Sequence, residues 1–436
     1  MHRRAHRRHR WLLVVMAAAL LAAACGGDDD DTAAGDNEGS GSGEALDTGR
    51  EEIRAVPDEY DTIQAAVDAA KAGDLVLVSP GVYKEAVTVT TDDIVIRGLD
   101  RNEVILDGEF EKDNGIRVLE ADGVAVENMT ARNYTTNGFF WTSAEGYRGS
   151  YLTAHNNGDY GIYAFDSTVG LLEHSYGSGS PDAGFYIGQC YPCDAVMRDV
   201  VAENNGLGYS GTNAGGDLFI VDSVFRHNRA GLVPNSGSYE LYPPERETTI
   251  VGNLVYSNNN YETAAIDSAR LAGGNGILVA GGNDNVIERN RVWDHDITGI
   301  GIVLIDDAEA PGGFYWPTGN VVRGNVVEDS RLADLGLTQE VGAGNCFADN
   351  EFTLSAPLDL EVLSPCDGEG SGDPNAGALD ISALAVLDGK PESGDYREMP
   401  TPEPQQVMPD ADSADWETAG SPPEVDIDAI DVPESP

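Results

Sequence analysis

Positive charge is scarce in this chain of 436 residues, and no lysine occurs between Lys112 and Lys390. Lysine and arginine together number 26, against 75 aspartates and glutamates, so the formal net charge is −49. Phosphate groups are bound by clustered lysine and arginine side chains, so this composition argues against nucleic acid and anionic lipid headgroups as partners. A polyanionic substrate would need bridging cations.

The chain also lacks an apolar run long enough to form a stable membrane-spanning helix. The apolar residues 11–24 follow a basic stretch at residues 2–10 and end in the sequence LAAACGG around Cys25. This order is similar to a bacterial lipoprotein signal, so we predict a signal peptide over residues 1–25 that is acylated at Cys25. An ordinary cleaved signal is the alternative. We expect an exported protein, anchored by its lipid to the outer face of the bacterial cell membrane.

Cysteine is rare, with five residues in the chain. Removing Cys25 leaves four, and an even number in an exported protein favours disulfides. Cys190 and Cys193 form a Cys-Tyr-Pro-Cys motif, which could be a redox pair or a local disulfide. No thioredoxin-like βαβ pattern surrounds the motif, so we expect a disulfide there and a second one between Cys346 and Cys366. No histidine lies at ligand spacing beside either pair, so we predict no metal site at the cysteines.

Both ends of the chain have low-complexity composition. Residues 26–56 are rich in Asp, Gly, Ser and Glu, which predicts a flexible acidic linker. Residues 367–436 are acidic and Pro-rich, which predicts a mostly disordered tail, although the apolar piece 381–387 could dock on the domain. A single domain is therefore expected over residues 57–366.

Glycines recur in this domain at intervals of 23 or 24 residues, and each is followed by an apolar or aromatic residue. They are Gly115, Gly138, Gly161, Gly184, Gly208 and Gly231, followed after insertions by Gly276, Gly299 and Gly336. A second apolar run follows most of them, with Asn and Gly at the bends, which is typical of short strands. One such unit cannot bury its own apolar face, whereas stacked units can. We therefore predict an all-β fold, a single-stranded right-handed parallel β-helix, with its hand set by crossover chirality.

A short segment with helical spacing, residues 61–70, precedes the repeat and predicts a capping helix. A buried strand at residues 75–78 and the turn PGVYKE at residues 80–85 follow. These features resemble the opening segment of the pectin-lyase-like superfamily, and the resemblance covers residues 57–366. It implies the same fold but leaves the activity open, because that superfamily includes lyases, hydrolases, esterases, epimerases and non-enzymatic adhesins.

Outward-facing side chains can be assigned by registering the repeats on the glycine. The residue after each glycine is apolar and is expected to face the core, so the next residue faces outward. On three neighbouring turns this residue is Phe140, Tyr163 and Tyr186, which predicts an exposed aromatic ladder that could pack on sugar rings. A loop or the tail could instead cover these rings.

Acidic residues accompany the ladder. Asp159 and Asp182 lie two residues before successive glycines, and two carboxylates so close raise the pKa of one of them, which suits glycoside hydrolysis. We therefore name Asp159, Asp182 and Asp166 as acid and base candidates. The pair could instead bind Ca²⁺ or cap turn amides. Gln189 and Asn213 belong, with Asp166, to a polar column that could bind sugar hydroxyls, although such ladders also simply stabilise β-helices.

Two insertions, near residues 236–248 and 306–318, follow the same strand of the repeat, so we expect them on one side of the solenoid. A third insertion, near residues 261–274, leaves a different turn. We expect a monomer that binds, and could cleave or modify, an extracellular polysaccharide or cell-envelope glycan. The alternative is a non-enzymatic surface adhesin or an envelope-binding structural protein.

Overall fold

A computed structural model describes residues 52–338, 344–380 and 392–436, all of which belong to one unit, Gly49–Pro436. The predicted signal peptide with its acylated Cys25 and the apolar piece 381–387 lie outside the described residues. Within the described ranges, no helix is both long and apolar enough to span a bilayer.

From residue 75 to residue 303, every third strand along the chain returns to the same sheet, so the chain winds into three long parallel sheets. Sheet 1 has twelve strands: β1 (Ile53–Val56), β2 (Leu75–Val78), β5 (Val95–Gly98), β8 (Val124–Glu127), β11 (Glu145–Ser150), β14 (Thr168–Glu173), β17 (Ala195–Arg198), β20 (Gly215–Val221), β23 (Arg246–Val251), β26 (Val286–Glu288), β31 (Val321–Arg323) and β34 (Cys346–Ala348). Sheet 2 has ten: β3 (Gly81–Tyr83), β6 (Val104–Asp107), β9 (Thr130–Arg132), β12 (Thr153–His155), β15 (Tyr176–Ser178), β18 (Val201–Glu203), β21 (Val224–Arg226), β24 (Leu254–Tyr256), β27 (Arg291–His295) and β32 (Val326–Ser330).

Sheet 3 contains the repeated glycines and has eleven strands: β4 (Val87–Val89), β7 (Ile116–Leu119), β10 (Phe139–Thr142), β13 (Tyr160–Phe165), β16 (Ala183–Gly188), β19 (Leu207–Thr212), β22 (Ala230–Asn235), β25 (Ile277–Ala280), β28 (Thr298–Val303), β33 (Ala333–Leu337) and β35 (Ser355–Ala356). A short antiparallel pair, β29 (Ile305–Asp306) and β30 (Phe314–Tyr315), lies outside the solenoid. The helices are α1 (Ile63–Ala69), α2 (Asp267–Ala272) and α3 (Leu360–Leu363), with single 3₁₀ turns at Pro311–Gly313, Tyr396–Glu398 and Ile427–Ala429.

The right-handed parallel β-helix predicted from the repeat is the fold of the described residues, with one difference in each turn. The second apolar run of a repeat is two strands, one in sheet 1 and one in sheet 2. A residue with positive φ separates them, such as Asn128 (φ 56°) between β8 and β9 or Asp199 (φ 52°) between β17 and β18. Asn and Asp adopt this left-handed conformation more readily than most residues, so the chain bends there and each period contains three strands.

The core of the solenoid combines apolar side chains with buried ladders of asparagine. Trp141, Tyr147 and Phe225 are among the largest fully buried side chains. At one bend the amide of Asn253 donates to Asn290 over 3.0 Å, and Asn290 donates to Asn325 over the same distance. The ladder satisfies polar groups that would otherwise be buried without a partner.

The N-terminal end is closed by α1, as predicted. Thr62 caps this helix by accepting a 3.0 Å hydrogen bond from the backbone N–H of Ala65, and Ile63 and Val67 are buried beneath it. The solenoid begins earlier than the expected boundary at residue 57, because β1 pairs in parallel with β2. The residues of β1 therefore belong to the solenoid and not to the linker.

Both predicted disulfides are present. Cys190 bonds to Cys193 in the turn between β16 and β17, and Cys346 in β34 bonds to Cys366 beyond α3. The first closes a tight turn, and the second ties the C-terminal end of the solenoid to the segment that follows it.

Residues 392–436 run along the solenoid surface, whereas we expected residues 367–436 to be mostly disordered. Arginines of the solenoid donate to backbone carbonyls of this tail: Arg97 to Asp415 (3.3 Å), Arg148 to Thr418 (3.1 Å), Arg289 to Ile430 (2.7 Å) and Arg291 to Pro433 (2.7 Å). Trp416 and Ala419 pack on the outer face of sheet 1. The physical reason for the difference is that charge-assisted bonds to carbonyls do not depend on the acidic side-chain composition that suggested disorder.

Candidate active site

A groove lies on the outer face of sheet 3, with a cavity volume of about 640 Å³. Its floor is formed by β16 to β28, one wall by α2, and the other by the insertions that follow β22 and β28. The two insertions contact each other, since the N–H of Ser238 donates to Asp307 over 2.8 Å and the hydroxyls of Ser238 and Tyr315 lie 2.7 Å apart. The prediction that they share one side of the solenoid is confirmed.

Asp182 enters this groove from the start of β16. Its side chain is 8% exposed and accepts a 2.7 Å hydrogen bond from the hydroxyl of Tyr160 on the preceding turn. Burial raises the pKa of Asp182 to about 7; the Tyr160 bond opposes this rise and the charge of Asp159 adds to it. A carboxyl group with this pKa can hold or release a proton near neutral pH.

Glu240 enters the same groove from the first insertion and was not among the residues predicted from the sequence. The hydroxyl of Tyr186 donates a 2.6 Å hydrogen bond to it. Burial raises the pKa of Glu240 to about 7, the Tyr186 bond lowers it, and the charge of Asp182 raises it further. The one signal that could have found Glu240 is its place between Tyr239 and Leu241 in an insertion expected to lie beside the aromatic ladder.

Asp159 lies one turn away from Asp182, as predicted, and the backbone N–H of Asp182 donates to the Asp159 carbonyl over 3.1 Å. Burial raises the pKa of Asp159 to about 6. Asp166 is not brought to this cluster. It follows the far end of β13, about 23 Å from Asp159 at roughly 3.3 Å per residue, and it accepts a 3.0 Å bond from Ser143. The strand length separates the two, so the structure does not support Asp166 as a partner of the pair.

The aromatic ladder exists, but its exposure differs from the prediction. The rings of Phe140 and Tyr163 stack at 4.8 Å, and those of Tyr163 and Tyr186 meet edge to face at 4.7 Å. Tyr160 also stacks on Tyr163, at 4.2 Å. Phe140 and Tyr163 are half-buried, whereas Tyr186 is fully buried because the insertion that carries Glu240 covers it. The open part of the ladder is therefore Phe140 and Tyr163.

Gln189 and Asn213 hold the first insertion in place. Both sit at bends with positive φ, 51° and 47°. The Gln189 side-chain oxygen accepts from the N–H of Leu241 over 3.1 Å, and the Asn213 amide donates to the carbonyl of Gly237 over 2.7 Å and accepts from its N–H over 3.0 Å. Asn213 is fully buried, so it cannot contact a sugar, contrary to the prediction. Its contribution is to position the loop that bears Glu240.

Cations are missing from the lining of the groove. Its described lining residues include no lysine, arginine or histidine, so an anionic group inside it would meet only carboxylates and neutral groups. Among the described residues there is also no cluster of three or more His, Cys, Asp or Glu side chains arranged to hold a metal ion.

The character of the groove changes along its length. The row of outward residues at equal register reads Phe140, Tyr163, Tyr186, Ser210, Val233 and Leu278 on successive turns. Leu207 and Val303 extend the aliphatic part, and α2 adds Ile266 and Leu271 at its edge. Tyr160, which stacks on Tyr163, lines the aromatic end of the groove, and the two carboxyl groups with raised pKa lie between that end and the apolar half.

Comparison with known proteins bears on the fold. No protein-family model matches the chain, and no curated protein matches it either. The structure is similar to the A-module of mannuronan C-5 epimerase AlgE4 of Azotobacter vinelandii, with a TM-score of 0.51 and 17% identity over 66% of this chain and 90% of that one. The A-module of epimerase AlgE6 of the same organism matches with a TM-score of 0.47 and 18% identity, over 68% and 95% of the two chains. An alginate lyase from Paenibacillus sp. str. FPU-7 matches with a TM-score of 0.44 and 14% identity, over 70% and 99%. The first likeness supports the parallel β-helix fold.

Proposed function

We propose that this protein binds an uncharged polysaccharide in the sheet 3 groove and hydrolyses a glycosidic bond there with Asp182 and Glu240. The observation that carries the proposal is that two coupled carboxyl groups with pKa values raised to about 7 face one groove beside an aromatic ladder. The similar fold of a module named as a mannuronan epimerase supports a polysaccharide as the ligand class.

The chemistry needs one protonated and one ionised carboxyl group. Two interacting carboxyl groups lose their protons in two steps that belong to the pair, and the raised pKa values allow one member to be protonated while the other is ionised near neutral pH. The protonated member gives its proton to the glycosidic oxygen as that bond breaks. The ionised member assists the attack at the anomeric carbon, and water supplies the new hydroxyl group.

An uncharged substrate follows from the electrostatics. The groove lining holds no cation among its described residues, and the chain carries a net charge of −49. A polyuronate would meet repulsion at long range and unneutralised carboxylates at short range. Sugar rings without charge can stack on Phe140 and Tyr163 with no such cost.

The test is release of reducing ends from a panel of uncharged glycans. Asp182→Asn and Glu240→Gln should each lower the rate by about 100-fold or more while glycan binding persists. Asp166→Asn is the matched control and should keep the full rate, because Asp166 lies at the other end of its strand. If no uncharged glycan is bound or cleaved, or if Asp166→Asn loses as much activity as Asp182→Asn, the proposal is wrong.

Non-enzymatic glycan binding, as in an adhesin or an envelope-binding protein, is the second candidate. It is favoured by the fact that both carboxyl groups already accept tyrosine bonds and that Asp182 is only 8% exposed. In that case, glycans are bound by the native protein with no reducing ends released at any pH, and Tyr163→Ala weakens the binding.

Export and lipid anchoring at Cys25 belong to the proposal as well. They are supported by the basic stretch, the apolar run and the LAAACGG sequence at the N-terminus. In a bacterial host, the native chain should fractionate with membranes and incorporate labelled fatty acid. Cys25→Ser should abolish the label; a native chain that is never labelled contradicts the anchoring.

A further inference from the structure

Four aliphatic side chains form the floor of one half of the groove. Leu207, Val233, Leu278 and Val303 belong to β19, β22, β25 and β28 and project outward, away from the solenoid core. All four belong with Ala269 and Ala272 of α2 to an apolar cluster that is separate from that core. An apolar patch on the outside of a strand is expected to be covered or to bind something.

The helix α2 covers this patch only in part. It faces the floor with the small side chains Ala269 and Ala272, which leave space beneath the helix, while Ile266 and Leu271 at its rim each remain 37% exposed. Larger residues on α2 would have filled the space. The third insertion, which carries α2, therefore forms a wall of the cavity, and the aliphatic lining of the cavity stays open at one edge.

The aliphatic half is unsuited to sugar. A saccharide hydroxyl moved from water to a surface of Leu and Val side chains loses its hydrogen bonds without replacement, which is costly. Polar partners near the centre are supplied by Ser210 and Thr212, and beyond them the row turns aliphatic at Val233. Only an apolar group gains free energy from occupying this half.

The aliphatic half meets the aromatic rings at Tyr160, which lines the cavity and stacks on Tyr163 at 4.2 Å. Tyr163 and Leu278 lie four strands apart in the same row, about 19 Å at about 4.8 Å per strand, with the covered Tyr186 and then Ser210 and Val233 between them. Asp182 and Glu240 lie between the ends of this row. A ligand that spans it would place a sugar on the aromatic side, an apolar chain on the aliphatic side, and the bond between them near the two carboxyl groups.

We infer that the groove accepts a saccharide that carries an alkyl or acyl chain, and that the chain occupies the pocket formed by Leu207, Val233, Leu278, Val303 and α2. This inference deepens the proposed function and rests on it for the position of the sugar. The chain class follows from the aliphatic floor of this half, and the cavity of about 640 Å³ lies within the range of about 300–1,000 Å³ for ligand sites.

The experiment compares n-octyl β-glucoside with methyl β-glucoside, below the micelle concentration, by titration calorimetry on the native protein. Each buried methylene adds about fourfold in affinity, so burial of about three or four of the additional methylenes should make the octyl compound bind on the order of 100-fold more tightly. Ala280→Phe, which fills the pocket, and Leu278→Asn, which makes its floor polar, should each remove that advantage. Leu332→Asn changes an exposed leucine away from the pocket and should leave it intact.

Binding of the octyl compound is measured without turnover, so it is independent of the hydrolysis test. Equal affinity for the two glucosides, in a protein that still cleaves uncharged polysaccharides, overturns this inference alone. Tight octyl binding by a protein that cleaves nothing supports the pocket and contradicts the proposed hydrolysis. If octyl binding requires replacement of the apolar residues at 381–387, those residues compete for the pocket and the inference is overturned.

Discussion

The hydroxyl of Tyr186 donates a 2.6 Å hydrogen bond to Glu240, which follows it by 54 residues in the chain. Tyr186 lies within a strand of the repeat, whereas Glu240 lies in an insertion outside it. The bond joins the regular solenoid to the irregular loop, and it buries the tyrosine that the repeat pattern would leave at the surface. The same bond tunes the acidity of Glu240.

Removal of that bond should change the pH dependence of glycan processing. The Tyr186 bond lowers the pKa of Glu240, which burial has raised to about 7. Tyr186→Phe should therefore raise the pKa of Glu240, and the limb of the pH–rate profile that Glu240 governs should move to higher pH. Tyr239→Phe is the control, because its hydroxyl lies 3.3 Å from Thr212 and does not bond to Glu240. Identical profiles for the native protein and Tyr186→Phe would remove Glu240 from the reaction.

A second prediction concerns stability at the base of the loop, where Glu245 is fully buried between Thr248 (2.8 Å) and Asn285 (2.9 Å). Burial raises the pKa of Glu245 to about 8 from an ordinary value of 4.5. Between pH 4.5 and pH 8, Glu245 is therefore protonated in the folded state and ionised in the unfolded state. The stabilising effect is complete below pH 4.5 and is lost as the pH rises towards 8.

Glu245→Gln should remove this part of the pH dependence. The amide can keep its oxygen towards Asn285 and its nitrogen towards Thr248, whose hydroxyl can turn to accept. The free energy of unfolding, measured by urea denaturation between pH 5 and pH 8, should fall less steeply than in the native protein. Glu262→Gln, at an exposed site, should follow the native curve. A variant with the native slope would show that Glu245 is ionised in the folded state.

The tail should contribute to stability through Trp416. Its indole N–H donates a 2.8 Å bond to the carbonyl of Gly73, and its ring packs with the cluster that contains Leu75 and Val95. Trp416→Ala should lower the free energy of unfolding by about 2 kcal/mol, from lost apolar contact and one lost hydrogen bond. Urea unfolding followed by far-UV circular dichroism measures the change. An unaltered midpoint would mean that the tail detaches in solution.

The open part of the aromatic ladder should bind sugar. Tyr163 is half-buried, and Phe140 at 4.8 Å and Tyr160 at 4.2 Å cover the two faces of its ring, so a sugar would pack on the half-buried Phe140 and on the rigidly held edge of Tyr163. Tyr163→Ala should weaken binding of an uncharged oligosaccharide by up to about tenfold, since the lost aromatic contact and the lost support of Phe140 are worth about 0.5–1.5 kcal/mol. Tyr163→Phe should retain the affinity, which separates stacking from hydrogen bonding. A larger loss in Tyr163→Phe than in Tyr163→Ala would contradict stacking.

Which side chains lie beside each other within the repeat could be predicted, because stacked turns bring residues one period apart into contact. Residues one period apart become neighbours on adjacent strands, and therefore Phe140, Tyr163 and Tyr186 form a row and Asp159 lies beside Asp182. The extra strand in each turn was missed, because a single left-handed residue such as Asn128 interrupts an apolar run without changing its composition.

The sequence by itself determined the β-helix, its capping helix, the disulfide pairs and the rows of neighbouring side chains, because each follows from local periodicity or from spacing. Only the tertiary structure decided that Glu240 meets Tyr186, that Asn213 is buried, and where the tail runs. These depend on matches between donors and acceptors far apart in the chain, in segments outside the repeat. No period constrains such segments, so their paths follow from three-dimensional packing and hydrogen bonding alone.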